Sequence, residues 1–114
     1  MPGKRRAGPK MTIPVQLVLR AMLAEPTQEM YGLQVCQAAG LPSGTIHPIL
    51  ARLEGLGWLE SRWEDAVPQE EGRPRRRYYK LTEDGAERAR IALAQTTVTV
   101  TALSLRPRPA GGHA

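Results

Sequence analysis

The stretch 41-LPSGTIHPILARLEGLGWLESRW-63 decides the fold, because a helical pattern ends within it and a strand pattern begins. Its first apolar residues recur at steps of three and four, which places them on one face of a helix: Ile46, Ile49, Leu50, Leu53 and Leu56. Gly55 and Gly57 are predicted to end this helix, since glycine adopts left-handed conformations without steric cost. Leu59, Ser61 and Trp63 then alternate with charged residues, which is the period of a half-buried strand.

The opposite side of this helix carries small, polar or basic residues and no acidic one: Gly44, His47, Pro48, Ala51 and Arg52. Ser43 is predicted to cap the helix, because its hydroxyl can accept a hydrogen bond from a free amide in the first turn. Free amides and the positive end of the helix dipole suit an anion such as a backbone phosphate. A helix face of small, polar and basic residues, followed directly by a strand, predicts a recognition helix that leads into a β-hairpin wing.

The hairpin loop is predicted at 66–74, where proline, glycine and charged residues cluster. Four arginines crowd into five positions at its end: Arg73, Arg75, Arg76 and Arg77. We expect these side chains to contact phosphates or to enter a minor groove. A solvated charged loop is the alternative, and Glu70 and Glu71 favour it because a carboxylate near phosphate costs free energy.

The return strand, 76-RRYYKL-81, also alternates and is predicted to place Tyr79 and Leu81 on the core face. Its outward residues would lie opposite the charged residues of the first strand, where opposite charges pair favourably. Trp58 and Trp63 are both expected in the core of the hairpin rather than in contact with a ligand.

Two helices are predicted before this stretch. The first begins after Thr12, which can cap it, and ends near Glu25, because Pro26 disfavours helical geometry in the preceding residue. Its core-facing stripe is Val15, Val18, Leu19, Met22 and Leu23. A second apolar row indicates contact with another subunit: Leu17, Ala21 and Ala24. The second helix is predicted over residues 28–39 and is broken by Gly40, so a helix, a tight turn and the recognition helix follow one another.

The last helix is predicted to begin after Thr82, again a suitable cap. A heptad seam runs along it: Ala89, Leu93, Thr96, Val100 and Leu103. The run TTVTVT at 96–101 is β-branched and alternates, so a strand is the alternative there, but the unbroken seam favours helix. The first and last helices together predict a dimer interface at Leu17, Ala21, Leu93, Val100 and Leu103.

The composition favours one small domain with a polyanionic partner. A chain of 114 residues buries only a thin core and often gains stability from a second subunit. Its net charge is +5, and its aromatic content of 4% argues against a base-stacking platform for single strands. Cys36 is the only cysteine, so no internal disulfide can form. Together with His47 and His113 it offers too few ligands for a zinc site, and no cofactor is expected.

The predicted fold class is mainly α with a small β-hairpin. It comprises a disordered basic arm (1–10), a winged helix-turn-helix DNA-binding domain (11–81), a C-terminal dimerisation helix (82–105) and a disordered tail (106–114). Arg20 interrupts the first apolar run, so no signal peptide is predicted, and no segment approaches the length that spans a bilayer. We therefore expect a cytoplasmic protein that has no contact with a membrane.

Three motifs resemble the PadR family of transcriptional regulators over about residues 31–85. They are YG at 31–32, GTIHPILARLEGLGWLESRWE at 44–64 and GRPRRRYYKLTEDG at 72–85. The resemblance implies a winged helix, a homodimer held largely by the first and last helices, and binding to a palindromic operator in double-stranded DNA.

The resemblance also implies roles for individual residues. Ser43, Thr45 and His47 fall where family members contact DNA from the recognition helix. Arg73, Arg75 and Arg76 fall in the wing. The chain departs from the family pattern at His47, where tyrosine is usual, so the base contact there would differ.

The expected function is a dimeric, sequence-specific DNA-binding regulator, acting as a repressor by steric block. Arg52 and Arg77 complete the expected DNA-contact set. One alternative is a winged helix whose basic face contacts an acidic protein partner. Another is a regulator controlled by a small hydrophobic ligand at the dimer interface. An enzyme is least favoured, because the sequence offers no paired acid and base, phosphate loop or metal cluster. Cys36 is better explained as a small core residue than as a nucleophile.

Overall fold

The chain is mainly helical and carries one small antiparallel sheet, which confirms the predicted fold class. The computed structural model describes residues 8–65 and 72–104, with side chains described as far as Thr96. The arm at 1–7, the hairpin loop at 66–71 and the tail at 106–114 lie outside the described residues. The elements are α1 (Ile13–Leu23), β1 (Met30–Tyr31), α2 (Gly32–Ala39), α3 (Ser43–Gly55), β2 (Leu59–Trp63), β3 (Arg77–Leu81) and α4 (Glu83–Ser104).

The sheet has three strands in the order β1-β3-β2, so the predicted hairpin gains a third strand. Met30 and Tyr31 pair with Tyr79 and Tyr78 of β3. The prediction of helix from residue 28 was therefore wrong, because these residues make their backbone hydrogen bonds to a distant strand. Helix α2 starts only at Gly32.

The hairpin itself has the predicted alternation. The register runs from Leu59 opposite Leu81 to Trp63 opposite Arg77. Glu60 and Lys80 lie opposite each other on the outward face and form an ion pair of 3.6 Å. The expected pairing of opposite charges across the strands is confirmed at this position.

Two of the three predicted helix caps are confirmed. The Thr12 hydroxyl accepts a hydrogen bond from the Val15 amide, and the Thr82 hydroxyl accepts one from the Gly85 amide. The prediction for Ser43 was wrong, because Pro42 occupies the cap position of α3. Its fixed φ suits the extended cap conformation, and its carbonyl accepts hydrogen bonds from the amides of Thr45 and Ile46.

The core forms where α3 packs against α1 and α2. The fully buried side chains come from the predicted stripes of α1 and α3 and from Val35 in α2: Val18, Leu19, Met22, Val35, Ile46, Leu50 and Leu53. Trp58, Leu59 and Leu81 extend this core to the sheet, and Ala86, Ala89 and Leu93 extend it to α4. Part of the predicted seam of α4 is therefore buried within one protomer.

Trp63 does not join this core. Its side chain is 56% exposed, whereas Trp58 is buried as predicted. Helix α3 covers the inner face of the hairpin only as far as Ser61, whose hydroxyl donates to Glu54 at 2.5 Å. Trp63 lies two residues further along the strand, about 7 Å away, where the helix no longer covers it.

The last helix continues through 96–101, so helix rather than strand is correct for the β-branched run. The Thr96 hydroxyl donates to the Ala92 carbonyl four residues earlier, which satisfies this polar side chain within the helix. The side chains of Val100 and Leu103 lie outside those that the structure describes. No helix in the described ranges is long and apolar enough to cross a membrane.

Two residues of the predicted arm, Gly8 and Pro9, pack against the domain. Pro9 is buried, and Gly8 lies against the indole ring of Trp58. Apolar contact of this kind holds Gly8 and Pro9 on the domain, so its packed part begins before residue 11.

The start of α4 is fixed by close contact with Trp58. The Trp58 carbonyl accepts hydrogen bonds from the amide and hydroxyl of Thr82. A Cβ atom at Gly85 would overlap the backbone carbonyl of Trp58, so no larger residue fits there without a shift.

We predict that Gly85→Ala lowers the free energy of unfolding by about 2–3 kcal/mol, because it overpacks this contact. Urea unfolding followed by circular dichroism measures the change. Gly55→Ala is the matched control, since a Cβ there meets no atom within 4 Å. Its free energy of unfolding should stay the same or rise by up to about 1 kcal/mol. Equal values for the two variants would contradict the account of this contact.

Candidate nucleic-acid interface

The outer face of α3 is exposed along its whole length. Ser43, His47 and Arg52 are exposed, and Thr45 is half-buried. The first turn contains no acidic side chain. The helix therefore presents hydroxyl, imidazole and guanidinium groups to solvent, while its apolar stripe holds it to the core. Each of these groups can donate a hydrogen bond to phosphate or to a base edge.

His47 lies directly against the first residue of α2. A Cβ atom at Gly32 would lie 3.0 Å from Cε1 of His47, which is closer than normal van der Waals contact. Glycine at this position thus makes room for the imidazole ring, and the ring is supported on one side. The YG pair at 31–32 is one of the three motifs of the family resemblance, but this contact of Gly32 was not predicted from the sequence.

Glu64 joins the two sides of the wing at its base through hydrogen bonds. Its carboxylate accepts two hydrogen bonds from Arg73, at 2.9 and 3.0 Å, and one from the Arg76 amide at 3.0 Å. Its backbone amide donates to the Arg76 carbonyl, and its carbonyl accepts from Nε of Arg75. The hydrogen bonds from Arg73, followed by that from the Arg76 amide, lower the pKa of Glu64 to about 2.

The four wing arginines therefore occupy different environments. Arg73 is held by Glu64. Arg77 lies on the inner face, 3.7 Å from the Glu54 carboxylate and 5.0 Å from the centre of the Trp63 ring. Arg75 is exposed and forms no ion pair within residues 8–65 and 72–104, which leaves its terminal nitrogens available to an anion.

Arg76 belongs to a row on the outer face of the sheet, in which two aromatic rings lie between two guanidinium groups. Its guanidinium lies 4.0 Å from the centre of the Tyr31 ring. Tyr31 meets Tyr78 edge-on at 5.8 Å, and Arg62 lies 5.1 Å from the centre of the Tyr78 ring. Cation–π contacts of this kind hold guanidinium groups in place while leaving their edges able to donate hydrogen bonds.

Glu29 anchors the far end of this row. Its carboxylate accepts two hydrogen bonds from Arg62, both at 2.7 Å. The hydrogen bonds from Arg62 lower the pKa of Glu29, and the same bonds raise the pKa of Arg62. No sequence pattern predicted that Glu29 and Tyr31 belong to the wing, because they precede its first strand by 30 and 28 residues.

The helix and the wing meet at the carboxyl end of α3. Glu54 accepts a hydrogen bond from Ser61 of β2 and lies within ion-pair distance of Arg77 of β3. The α3 face and the inner side of the wing are thus joined through one side chain. Arg52 of α3 has no ion-pair partner in the described part of the chain.

The comparisons with known proteins agree with this architecture. The family model described as "Transcriptional regulator PadR-like family" matches residues 19–91. A PadR family regulator from Clostridium difficile R20291 is 19% identical with a TM-score of 0.62, over 79% of this chain and 94% of that one. A PadR-like transcription factor from Bacteroides fragilis is 22% identical with a TM-score of 0.58, over 81% and 88%.

A third similar structure was solved with a ligand. The PcaV transcriptional regulator from Streptomyces coelicolor, in complex with its natural ligand, is 27% identical with a TM-score of 0.62. The match covers 90% of this chain and 66% of that one. No protein with a curated description matches the chain.

We predict that Arg73→Gln raises the pKa of Glu64 from about 2 towards its ordinary value of 4.5, because the charged hydrogen bonds are lost. Carboxyl-carbon NMR during a pH titration measures it. The depressed pKa stabilises the wild type above pH 4.5, and this stabilisation is lost as the pH falls through about 2. The stability difference between wild type and variant should shrink over that range.

Arg75→Gln is the control for this titration. Its Nε contacts the Glu64 carbonyl rather than the carboxylate, so the pKa of Glu64 should stay close to the wild-type value. An unchanged pKa in Arg73→Gln would show that Arg73 does not hold Glu64 in solution.

Proposed function

This chain belongs to the PadR-like family of transcriptional regulators, and from that premise we propose that it is a dimeric repressor that binds a palindromic operator in double-stranded DNA. The exposed outer face of α3, which has no acidic side chain in its first turn, is the observation that carries the proposal. Two such helices, related by the two-fold axis of a dimer, would enter successive major grooves roughly 34 Å apart. The bound dimer would block transcription sterically.

Sequence readout is assigned to the outer face of α3. Ser43 and Thr45 lie in the first turn, where hydroxyls and free amides reach the backbone or a base edge. His47 follows one turn later, and its support on Gly32 favours a single orientation in the groove. Arg52 lies near the other end of the exposed face, where a guanidinium suits a phosphate or a guanine edge.

The wing contributes affinity in this proposal. Arg75 forms no ion pair with the described residues, and Arg76 is held on Tyr31 with its edge available, so both suit phosphate contacts. Arg73 and Arg77 were expected to act in the same way. Their contacts with Glu64 and Glu54 favour a structural role, in which they shape the wing that presents the other two.

The dimer interface is assigned to the apolar surface that remains on α1 and α4. Ile13 is 66% exposed and Leu17 36% exposed, and Ala21 lies one turn further along the same face. Ile91 of α4 is 52% exposed. Leu93 is buried within one protomer, so we replace it with Ile91 in the proposed interface and retain Val100 and Leu103 as proposals.

Equilibrium binding to DNA tests the proposal. Fluorescence anisotropy would compare a duplex from directly upstream of the protein's own gene with a random duplex of equal length, at several salt concentrations. We expect saturable binding to the upstream duplex at salt that abolishes binding to the random one. His47→Ala should raise the operator Kd roughly 5- to 150-fold and leave the random duplex unaffected.

Arg75→Gln should weaken binding to both duplexes. It should also reduce the slope of the logarithm of the binding constant against the logarithm of the salt concentration by about one unit, since one phosphate contact is lost. Arg90→Gln is the control, because Arg90 is exposed and lines a cleft with Pro26 and Lys80 that includes neither Ile91 nor any residue of α3. Equal affinity for both duplexes, lost together as salt rises, would contradict the proposal and favour an acidic protein partner.

A further inference from the structure

Tyr31 and Gly32 are consecutive residues at the point where β1 ends and α2 begins, outside both α3 and the β2–β3 hairpin. Tyr31 pairs with Tyr78 of β3, and its amide donates a hydrogen bond to the Gln34 side chain at 3.1 Å. The backbone at this junction is therefore held to the sheet on one side and to α2 on the other. Each of the two residues contacts a different side chain of the proposed DNA-binding surface.

Gly32 limits where the imidazole of His47 can lie. His47 is exposed, so its own helix leaves the ring able to exchange between rotamers. A Cβ atom at residue 32 would lie 3.0 Å from Cε1 and 3.6 Å from Nε2 of this ring. The ring thus occupies space that only a glycine leaves open, and the size of residue 32 decides its position.

Tyr31 limits the guanidinium of Arg76 in a comparable way. The face of its ring lies 4.0 Å from the guanidinium carbon, and Tyr78 supports the ring edge-on at 5.8 Å. A long arginine side chain loses conformational entropy when it is ordered by a phosphate. Because the cation–π contact orders Arg76 before DNA arrives, less of that entropy is lost on binding.

We propose that Tyr31 and Gly32 are positioning residues for DNA binding. Tyr31 acts through Arg76, which sets affinity, and Gly32 acts through His47, which sets sequence preference. Since one planar peptide unit joins the two residues, the phosphate-binding group and the base-reading group are held in a fixed relation. Both roles rest on the proposed function, which assigns His47 to base edges and Arg76 to phosphate.

NMR of the full chain without DNA tests the contact of Gly32 with His47. The chain has two histidines, and His47→Ala distinguishes the ring signals of His47 from those of His113. We expect a nuclear Overhauser effect between Hε1 of His47 and the Hα protons of Gly32. Gly32→Ala should shift the Hε1 signal, and Gly55→Ala should leave it in place, because a Cβ there meets no atom within 4 Å. Absence of the Overhauser effect, or equal shifts in both variants, would overturn the role of Gly32.

A double-mutant cycle tests the consequence of this contact for DNA binding. Selectivity is the Kd for the random duplex divided by the Kd for the upstream duplex. Gly32→Ala should lower selectivity about 3- to 10-fold, because the imidazole loses its preset position. In the His47→Ala background the same change should have no further effect, since no ring remains to be displaced. Gly55→Ala should retain wild-type selectivity. Equal losses in both backgrounds would indicate a general structural defect and overturn the proposal.

Tyr31 is tested on the random duplex at low salt, because a phosphate contact does not depend on sequence. Tyr31→Leu removes the ring face and should raise the Kd about 3- to 10-fold. Tyr31→Phe keeps a ring face for Arg76 and should restore the Kd to within about twofold of wild type. Combined with Arg76→Gln, the leucine variant should cause no further loss. A full additional loss in that background, or equal Kd values for the leucine and phenylalanine variants, would overturn the role of Tyr31.

These measurements separate the positioning roles from the proposed function. If the protein bound the upstream duplex no better than the random one, sequence-specific regulation through this duplex would fail. The NMR contact would still decide whether Gly32 positions His47, and the random duplex would still decide whether Tyr31 positions Arg76.

Discussion

Burial of one apolar stripe fixes the orientation of α3 about its own axis. That orientation determines which polar side chains of the helix are exposed. Ile46, Leu50 and Leu53 are fully buried. Exposing them by turning the helix would cost of the order of 5–9 kcal/mol, which is comparable with the whole stability of a small domain. Because the stripe must face inward, His47 and Arg52 face outward, whereas Ser43 is exposed because it begins the helix. The core thus specifies which side chains a nucleic acid could meet.

Trp58 connects the end of α3 to the start of α4 through its backbone hydrogen bonds. Its amide donates to the Leu53 carbonyl and closes the end of α3, where Gly57 adopts φ 82°. Its carbonyl accepts from Thr82, and Gly85 packs against its backbone, so the start of α4 is fixed relative to α3. A dimer formed through α1 and α4 would therefore hold two copies of α3 at a defined separation, as a palindromic operator requires.

The local features were predictable from the sequence, and the features that depend on distant partners were not. Periodicity gave the helices and the hairpin, and short-range hydrogen bonding gave the caps at Thr12 and Thr82. Strand β1 was missed because its residues pair with Tyr79 and Tyr78, which lie 49 and 47 residues further along the chain. The exposure of Trp63 depends on where α3 stops covering the sheet. The different environments of the wing arginines depend on carboxylates such as Glu64, whose position no local pattern specifies.

Dimethyl sulfate protection of guanine N7 tests the central claim most directly, because N7 lies in the major groove. The claim is that the exposed face of α3 enters that groove in two copies. With the upstream duplex, the account predicts two groups of protected guanines roughly 34 Å apart along the helix axis. In the His47→Ala complex, protection should be lost at the centre of each group. Specific binding that leaves every N7 open to methylation would contradict the account.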